Sequence, residues 1–156
     1  MELVSLRTGK DGRPALIGAL QRAVRGEVRF DAGSRALYAA DASNYRHVPT
    51  GVVFPRDAQD VLLTLEACRR HGVPVLSRGG GTSLGGQTTN VAVVLDFSRY
   101  MNGVLQIDVD GRSARVLPGT VLDLLRDEAT KYGLTFGPDP STHDRCTLGG
   151  LIGNSA

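Results

Sequence analysis

The chain has 156 residues, of which 41% are hydrophobic and 22% are charged, with a formal net charge of +2. This length suits one domain with its own core, and the composition excludes a disordered or fibrous protein. The arginines are scattered among acids, which disfavours a nucleic-acid-binding surface. The unusual feature is the 20 glycines, which are concentrated in residues 79–86 and 149–153.

The cysteines and the N-terminus bear on the compartment. Cys68 and Cys146 are too few and too far apart for a secreted disulfide framework, so we expect a reducing environment. Residues 1–7 lack the apolar centre of a signal peptide, and no run of about 18 apolar residues occurs that could span a membrane. A cytoplasmic protein is therefore predicted, with peripheral attachment to the inner membrane left open.

The first half of the chain is punctuated by helix and strand signals. A helix is predicted from Pro14 to the residue before Gly26, because apolar residues recur there at helical spacing. Residues 52–54 form a predicted strand, and Asp57 is the expected N-cap of a second helix that ends at Gly72. The apolar face of that helix is predicted to contain Ala58, Val61, Leu62, Leu65 and Cys68.

The second half predicts strands around a loop and a third helix. Strands are expected at residues 73–76 and 91–95, the latter too apolar for an exposed edge. Alternating apolar residues on either side of residues 110–111 predict a hairpin with an Asp-Gly turn. Thr120 fits the start of a capping box for a helix that ends at Gly133. The apolar face of this helix is predicted to contain Val121, Leu124, Leu125, Ala129 and Tyr132.

The first glycine stretch has the composition of an anion-binding loop. Consecutive glycines expose backbone amides to a close anion, and Arg78, Thr82 and Ser83 can add hydrogen bonds. A pyrophosphate is the favoured ligand, and a glycine-rich surface loop without a ligand is the alternative. A P-loop is excluded because Gln87, followed by Thr88, stands where its lysine belongs. A Rossmann turn is excluded because a strand follows the loop.

Residues 74–86 resemble the pyrophosphate loop of the PCMH-type FAD-binding domain of the vanillyl-alcohol oxidase superfamily. Residues 53–61, 116–119, 136–141 and 146–154 match further segments of that family in the same order. Residues 41–46 extend the similarity to D-2-hydroxy acid dehydrogenases that resemble the FAD subunit of glycolate oxidase. Some of these are fusion proteins with an iron–sulfur region. The matches together predict a flavoprotein.

The resemblance implies a fold and a domain division. It implies an α+β, two-lobed FAD-binding domain that is truncated at the C-terminus, because the chain stops soon after a helix begins near Thr147. Residues 1–47 are predicted to form an N-terminal helical segment, and residues 48–156 the incomplete FAD-binding domain. Weak FAD binding and little turnover are expected of the chain by itself, with its last helix frayed.

The resemblance also implies a set of cofactor-binding residues. They are Arg78, Gly79, Gly80, Gly81, Thr82, Ser83, Gly86, Gln87, Pro118, Gly119, Pro138, Asp139, Ser141, Gly149, Gly150 and Asn154. Thr82 stands where some relatives carry a histidine that attaches the flavin, so noncovalent FAD is expected. Catalytic residues are expected beyond residue 156, and any iron–sulfur cluster only in regions absent from this sequence.

The function implied is oxidation of a D-2-hydroxy acid of the lactate, glycolate or 2-hydroxyglutarate type by hydride transfer to FAD, with the electron acceptor unassigned. Two alternatives stay open: a nucleotide-binding or interaction module without catalysis, and another FAD-linked oxidase of the superfamily. No metal site is predicted, since Asp139, His143, Asp144 and Cys146 lack a recurrent ligand spacing.

Overall fold

A computed structural model describes residues 13–155, and the expectation for residues 1–7 lies outside this range. The helices are α1 (Arg13–Ala23), α2 (Ala32–Leu37), α3 (Ala58–Arg70), α4 (Leu122–Thr130) and α5 (Leu148–Gly153). The strands are β1 (Glu27–Arg29), β2 (Gly51–Phe54), β3 (Val75–Arg78), β4 (Val93–Asp96), β5 (Val104–Asp108) and β6 (Ser113–Val116). They form a four-stranded sheet and a separate hairpin.

The four-stranded sheet has the order β1-β2-β4-β3. Strand β1 runs antiparallel to β2, whereas β2, β4 and β3 run parallel to one another. All residues of β4 are buried, which confirms that it is not an exposed edge. The strand nevertheless begins at Val93, two residues later than predicted, and Val91 is exposed.

Helices α1 and α3 contribute to one hydrophobic core with the sheet. Leu16 and Leu20 of α1 lie in the same buried cluster as Val53, Cys68 and Val93. The N-terminal helix, predicted from its spacing, is thus confirmed and shares the core of the residues that follow it. Cys68 is fully buried, and burial raises the pKa of its thiol to about 11, so it is a small buried apolar residue as expected.

Helix α3 begins and ends as predicted but presents a different face. The Asp57 side chain accepts a hydrogen bond from the Asp60 amide at 3.0 Å, and Gly72, at φ +64°, follows the last turn. Ala58, Leu62 and Leu65 are exposed, so the predicted apolar face is wrong at these three positions. Asp60 and Thr64 are fully buried in their place.

The buried carboxylate of Asp60 explains this orientation. It accepts hydrogen bonds from the amides of Arg25, Gly26 and Arg56 at 2.9, 3.0 and 2.9 Å. Three backbone donors compensate the loss of hydration that a buried charge suffers. The α3 face that carries Asp60, Thr64 and Cys68 at helical spacing therefore points inward.

The second unit consists of the β5–β6 hairpin with α4 and α5. Leu122, Leu125, Cys146, Leu148 and Leu151 form its buried cluster. The hairpin is confirmed, but its turn is longer than an Asp-Gly pair, and the residue at positive φ is Arg112 (+45°), not glycine. This separate hairpin unit gives the fold its two lobes.

The predicted capping box at Thr120 is wrong. The Thr120 side chain is fully buried, and its hydroxyl donates to Leu117 O at 2.6 Å. Helix α4 begins one residue later, with Val121 as an N-cap that makes no side-chain hydrogen bond. It ends at Thr130, and Leu124 and Tyr132 of the predicted apolar face are exposed.

Candidate cofactor site

The glycine loop, residues 79–92, connects two parallel strands without a helix. It leaves the carboxyl end of β3 and must return to the start of β4, its parallel neighbour. Parallel strands are usually joined by a helix, and an irregular connection of this length is generally functional. The topology thus indicates a functional role for the same segment whose composition predicts anion binding.

The amides of the first part of the glycine loop, residues 79–87, have no partners in the described part of the protein. Within residues 13–155, no amide from Gly79 to Gln87 donates a hydrogen bond to another group of the protein. The loop is half-buried or exposed along this stretch and does not lie in a packed interior. Since backbone donors need partners, these amides are available to water or to an anionic ligand.

Two glycines of the loop lie against the second unit. A Cβ on Gly79 would lie 1.9 Å from Thr147 Oγ1, and one on Gly80 would lie 2.3 Å from Arg145 O. Glycine is therefore required for the loop to pack on residues 145–147, in addition to any approach of a ligand. Gly81 and Gly86 have φ values of +65° and +78°, which favour glycine for a conformational reason.

A groove runs between the glycine loop and the start of α5. It comprises two adjoining depressions of about 390 and 320 Å³. Both are lined by Gly79, Gln87, Thr88, Thr147, Gly150 and Asn154. One continues past Pro118 and Phe97, the other past Thr82, Ser83 and Thr142. A phosphate chain and a larger group attached to it could thus lie along one continuous surface.

Most of the predicted cofactor-binding residues meet at this groove. Those that line it are Arg78, Gly79, Gly80, Gly81, Thr82, Ser83, Gln87, Pro118, Gly149, Gly150 and Asn154. Gly86, Gly119, Pro138, Asp139 and Ser141 do not line either depression.

The predicted residues outside the lining have other contacts. Gly86 lies against the ring of Tyr45, and the Gly119 amide donates to Met101 O at 2.8 Å. Arg126 donates to Pro138 O at 2.9 Å and to Asp139 Oδ1 at 2.8 Å, and this hydrogen bond lowers the pKa of Asp139. Gly86, Gly119, Pro138 and Asp139 thus contact other parts of the protein and not the two depressions.

The structure also adds residues that sequence reasoning did not name. Leu76, Ser77, Thr88, Phe97, Pro140, Thr142, Cys146, Thr147 and Leu151 contribute to the lining. Six of these residues fall in segments that carry the family resemblance, which is the signal that could have found them: Leu76, Ser77, Pro140, Cys146, Thr147 and Leu151. Phe97 follows β4 directly, and only the pairing of β3 with β4 places it beside the loop.

The positive charge of Arg78 lies next to the glycine loop. Its guanidinium donates to Ala40 O at 2.9 Å and Thr88 O at 3.1 Å, and lies 5.1 Å from the centre of the Tyr38 ring. A Cβ on Gly81 would lie 2.7 Å from Arg78 Nη2, so the charge is directly adjacent to the loop backbone. At this range a cation favours an anion bound on the loop without contacting it.

The acidic and histidine residues considered for a metal are each paired separately. His143 Nδ1 lies 2.7 Å from Asp123 Oδ2, and Arg145 Nε lies 2.8 Å from Asp144 Oδ1. In the part of the chain that the structure describes, no three His, Cys, Asp or Glu side chains are grouped as a metal ion would require. Nor does any helix between residues 13 and 155 have the length and apolarity needed to cross a membrane.

A larger depression, of about 460 Å³, lies away from the glycine loop. It is lined by Arg29 and Arg99, among others, but both guanidinium groups already contact Glu27. No residue of the glycine loop contributes to it. The glycine-loop groove, with its open donors, is the better candidate for a phosphate-containing ligand.

Loop amides without partners among residues 13–155, on a loop that lines a groove, are typical of a domain that binds a phosphate-containing cofactor. Residues 49–156 match the family described as the FAD binding domain, and the chain belongs to this family. FAD is therefore its cofactor, and the predicted assignment to the vanillyl-alcohol oxidase superfamily is confirmed.

Two curated relatives and one solved structure illustrate the similarity. The chain is 40% identical over 147 residues to D-2-hydroxyglutarate dehydrogenase of Pseudomonas putida, covering 92% of this chain and 15% of that protein. It is 37% identical over 139 residues to glycolate oxidase subunit GlcD of Bacillus subtilis, covering 85% of this chain and 29% of that protein. The 4-ethylphenol oxidase of Gulosibacter chungangensis superposes with a TM-score of 0.77 at 22% identity, covering 93% of this chain and 29% of that one. The last likeness confirms the predicted α+β fold.

Proposed function

We propose that this chain forms the pyrophosphate-binding part of a flavin-dependent oxidoreductase that oxidises a D-2-hydroxy acid. The observation that carries the proposal is the run of unpartnered amides from Gly79 to Gln87 along the groove. The names of the relatives, D-2-hydroxyglutarate dehydrogenase and glycolate oxidase subunit, support the class of substrate. Lactate, glycolate and 2-hydroxyglutarate are the substrate types to test.

FAD fits the residues that are present. Its pyrophosphate is rich in acceptor oxygens and poor in donors, and the loop offers donors with no competing acceptor. The Arg78 charge behind Gly81 favours the same anion. When bound, the flavin supplies the hydride acceptor, and the residues of this chain hold and orient the cofactor.

The residues divide by position along the groove. We assign the amides of residues 79–83 and 87 to the pyrophosphate, and Pro118, Gly149, Gly150 and Asn154 to the ribityl and isoalloxazine part. Gly86, Gly119, Pro138, Asp139 and Ser141 act as supports of the walls. Thr82 lines the groove but has no nucleophilic nitrogen, so the flavin is held noncovalently.

The domain division and the cellular context belong to the same proposal. Residues 48–156 hold the cofactor, and residues 1–47 form an N-terminal segment, of which the described part, residues 13–47, packs against them. The base that takes the hydroxyl proton and the groups that bind the substrate carboxylate come from parts of the protein beyond this chain. The proposal also places the protein in the cytoplasm, with or without peripheral attachment to a membrane. Its partners are small molecules and not nucleic acid.

The test is a comparison of ligands that share parts of FAD. The chain should bind FAD and ADP, both of which contain a pyrophosphate, and should bind riboflavin far more weakly, measured by equilibrium dialysis. Arg78→Ala should weaken FAD binding about tenfold, since a charge next to the anion is lost. A chain that ignores FAD at every concentration would contradict the proposal.

The substrate class needs a second experiment. A protein that contains this chain and the residues that follow it should lose its oxidised-flavin absorbance with a D-2-hydroxy acid but not with the L enantiomer. Reduction by phenols or amines in place of hydroxy acids would favour another FAD-linked oxidase. FAD binding without reduction by any substrate would favour the noncatalytic nucleotide-binding module.

A further inference from the structure

Residues 40–45, which we call the brace, fasten the glycine loop from behind. The Ala42 amide donates to Gly81 O at 3.0 Å, and Arg78 Nη2 donates to Ala40 O at 2.9 Å. Tyr45 lies against Gly86, where an added Cβ would lie 2.6 Å from the ring. The brace therefore contacts the loop at Gly81 and Gly86, and contacts Arg78 directly before it.

Asp41 is the central residue of the brace. Its carboxylate accepts from the Ser43 amide at 2.8 Å, which closes a local turn. The other oxygen accepts from both donors of Thr88, the hydroxyl at 2.7 Å and the amide at 3.3 Å. Burial raises the pKa of Asp41, but the hydrogen bonds from Ser43 and Thr88 outweigh it and leave the pKa lowered, so the group is charged at neutral pH.

These contacts involve carbonyl groups and the donors of Thr88, and not the amides that would bind an anion. The brace and Arg78 bind the carbonyls of Gly81 and Thr88 and the donors of Thr88. The amides of residues 79–87 take no part in any of them. The loop is thus held in place while its donors remain open, which is what preorganisation of an anion site requires.

We propose that Asp41 is a positioning residue for the cofactor: by holding Thr88 it keeps the glycine loop in the shape that presents its amides to the groove. Asp41 does not line the groove, whereas Thr88 does, so Asp41 acts through Thr88. A glycine-rich loop that is not held samples many conformations, and a ligand must then select the competent one at a cost in affinity. The inference rests on the proposed function for the identity of the ligand.

The experiment combines FAD affinity with the mobility of the loop in the absence of FAD. Asp41→Asn should weaken FAD binding about tenfold, because charge-assisted hydrogen bonds to Thr88 become neutral ones or are lost. Without FAD, the ¹⁵N order parameters of residues 79–87 should be about 0.85 in the original chain and below about 0.6 in Asp41→Asn. Asp110→Asn, an exposed carboxylate in the hairpin turn, is the matched control and should change neither quantity.

A conservative pair at position 88 separates positioning from general damage to the fold. Thr88→Ser keeps the hydroxyl that Asp41 accepts from, so the order parameters of residues 79–87 without FAD should stay as in the original protein. Thr88→Val removes this hydroxyl and should lower those order parameters as Asp41→Asn does. The Asp41→Asn and Thr88→Val double variant should bind FAD no more weakly than either single variant, because both substitutions remove the same interaction between residues 41 and 88.

The outcomes distinguish this inference from the proposed function. If the unmodified chain does not bind FAD but Asp41→Asn loosens the loop, the proposed function fails and the holding role of Asp41 stands. If Asp41→Asn leaves both affinity and order parameters unchanged, the inference is overturned. It is equally overturned if the loop is already mobile in the unmodified chain, or if Thr88→Ser is as damaging as Thr88→Val.

Discussion

The two glycine-rich stretches line the same groove but contribute to it in different ways. In residues 79–87 the amides have no partner within residues 13–155, and the loop is held through carbonyls and side chains. In α5 the amides are already used: Gly149 donates to Pro118 O at 2.9 Å and Gly150 to Thr147 Oγ1 at 3.3 Å. The first stretch supplies free hydrogen-bond donors, whereas the glycines of the second allow α5 to pack close to its neighbours.

This difference shows that glycine content alone does not identify an anion site. A Cβ on Gly149 would lie 2.9 Å from Pro118 O, so this glycine lets α5 approach the turn that precedes α4. What distinguishes the loop is the combination of open amides with an external brace. Alanine substitutions at glycines that differ in the space around an added Cβ separate these roles.

Gly80→Ala should have the largest effect. Its Cβ would lie 2.3 Å from the backbone oxygen of Arg145, which cannot move without shifting residues 145–147. We expect a loss of about 1–3 kcal/mol in the free energy of unfolding, measured by urea denaturation, and the loss of FAD binding. Gly137→Ala, where nothing lies within 4 Å of the added Cβ, is the control. Equal behaviour of these two variants would contradict the observed packing of the loop.

Gly149→Ala should have an intermediate effect. The contact with Pro118 O is tight, at 2.9 Å, but alanine is favoured over glycine within a helix, and the two effects partly cancel. We expect about 1 kcal/mol of destabilisation and a moderate loss of FAD affinity through displacement of α5. If Gly149→Ala lowers FAD affinity more than Gly80→Ala does, the position of α5 and not the glycine loop determines binding.

Gly153→Ala should have the smallest effect, and of opposite sign. Nothing lies within 4 Å of its added Cβ, so alanine should stabilise the protein by about 0.5 kcal/mol through helix propensity, measured by urea denaturation. Destabilisation at this position would mean that α5 packs more tightly than the structure shows.

Local signals predicted the parts of the fold that depend on neighbours in sequence. The N-cap at Asp57, the helix end at Gly72 and the buried strand β4 are confirmed because each rests on local chemistry or composition. The inward face of α3 was mispredicted because Asp60 is paired with the amides of Arg25 and Gly26, far away in sequence. A hydrophobicity pattern carries no information about such a pairing.

The same limit applies to the site. The glycine loop could be predicted because its composition and its resemblance to a family mark it directly. The hydroxyl of Thr120 was assigned to a helix cap, whereas it bonds to the backbone of Leu117 and Gly103 inside the second unit. The role of Asp41 depends on its contact with Thr88, which only the folded chain reveals.

The central claim is that amides of the glycine loop, those of residues 79–83 and 87, bind the pyrophosphate of FAD. The most direct measurement is a titration of the ¹⁵N-labelled chain with FAD and, separately, with riboflavin, following the amide chemical shifts. FAD should shift the amides of residues 79–87, and riboflavin should leave them unchanged. Equal shifts with both ligands, or FAD shifts confined to other parts of the chain, would contradict the account.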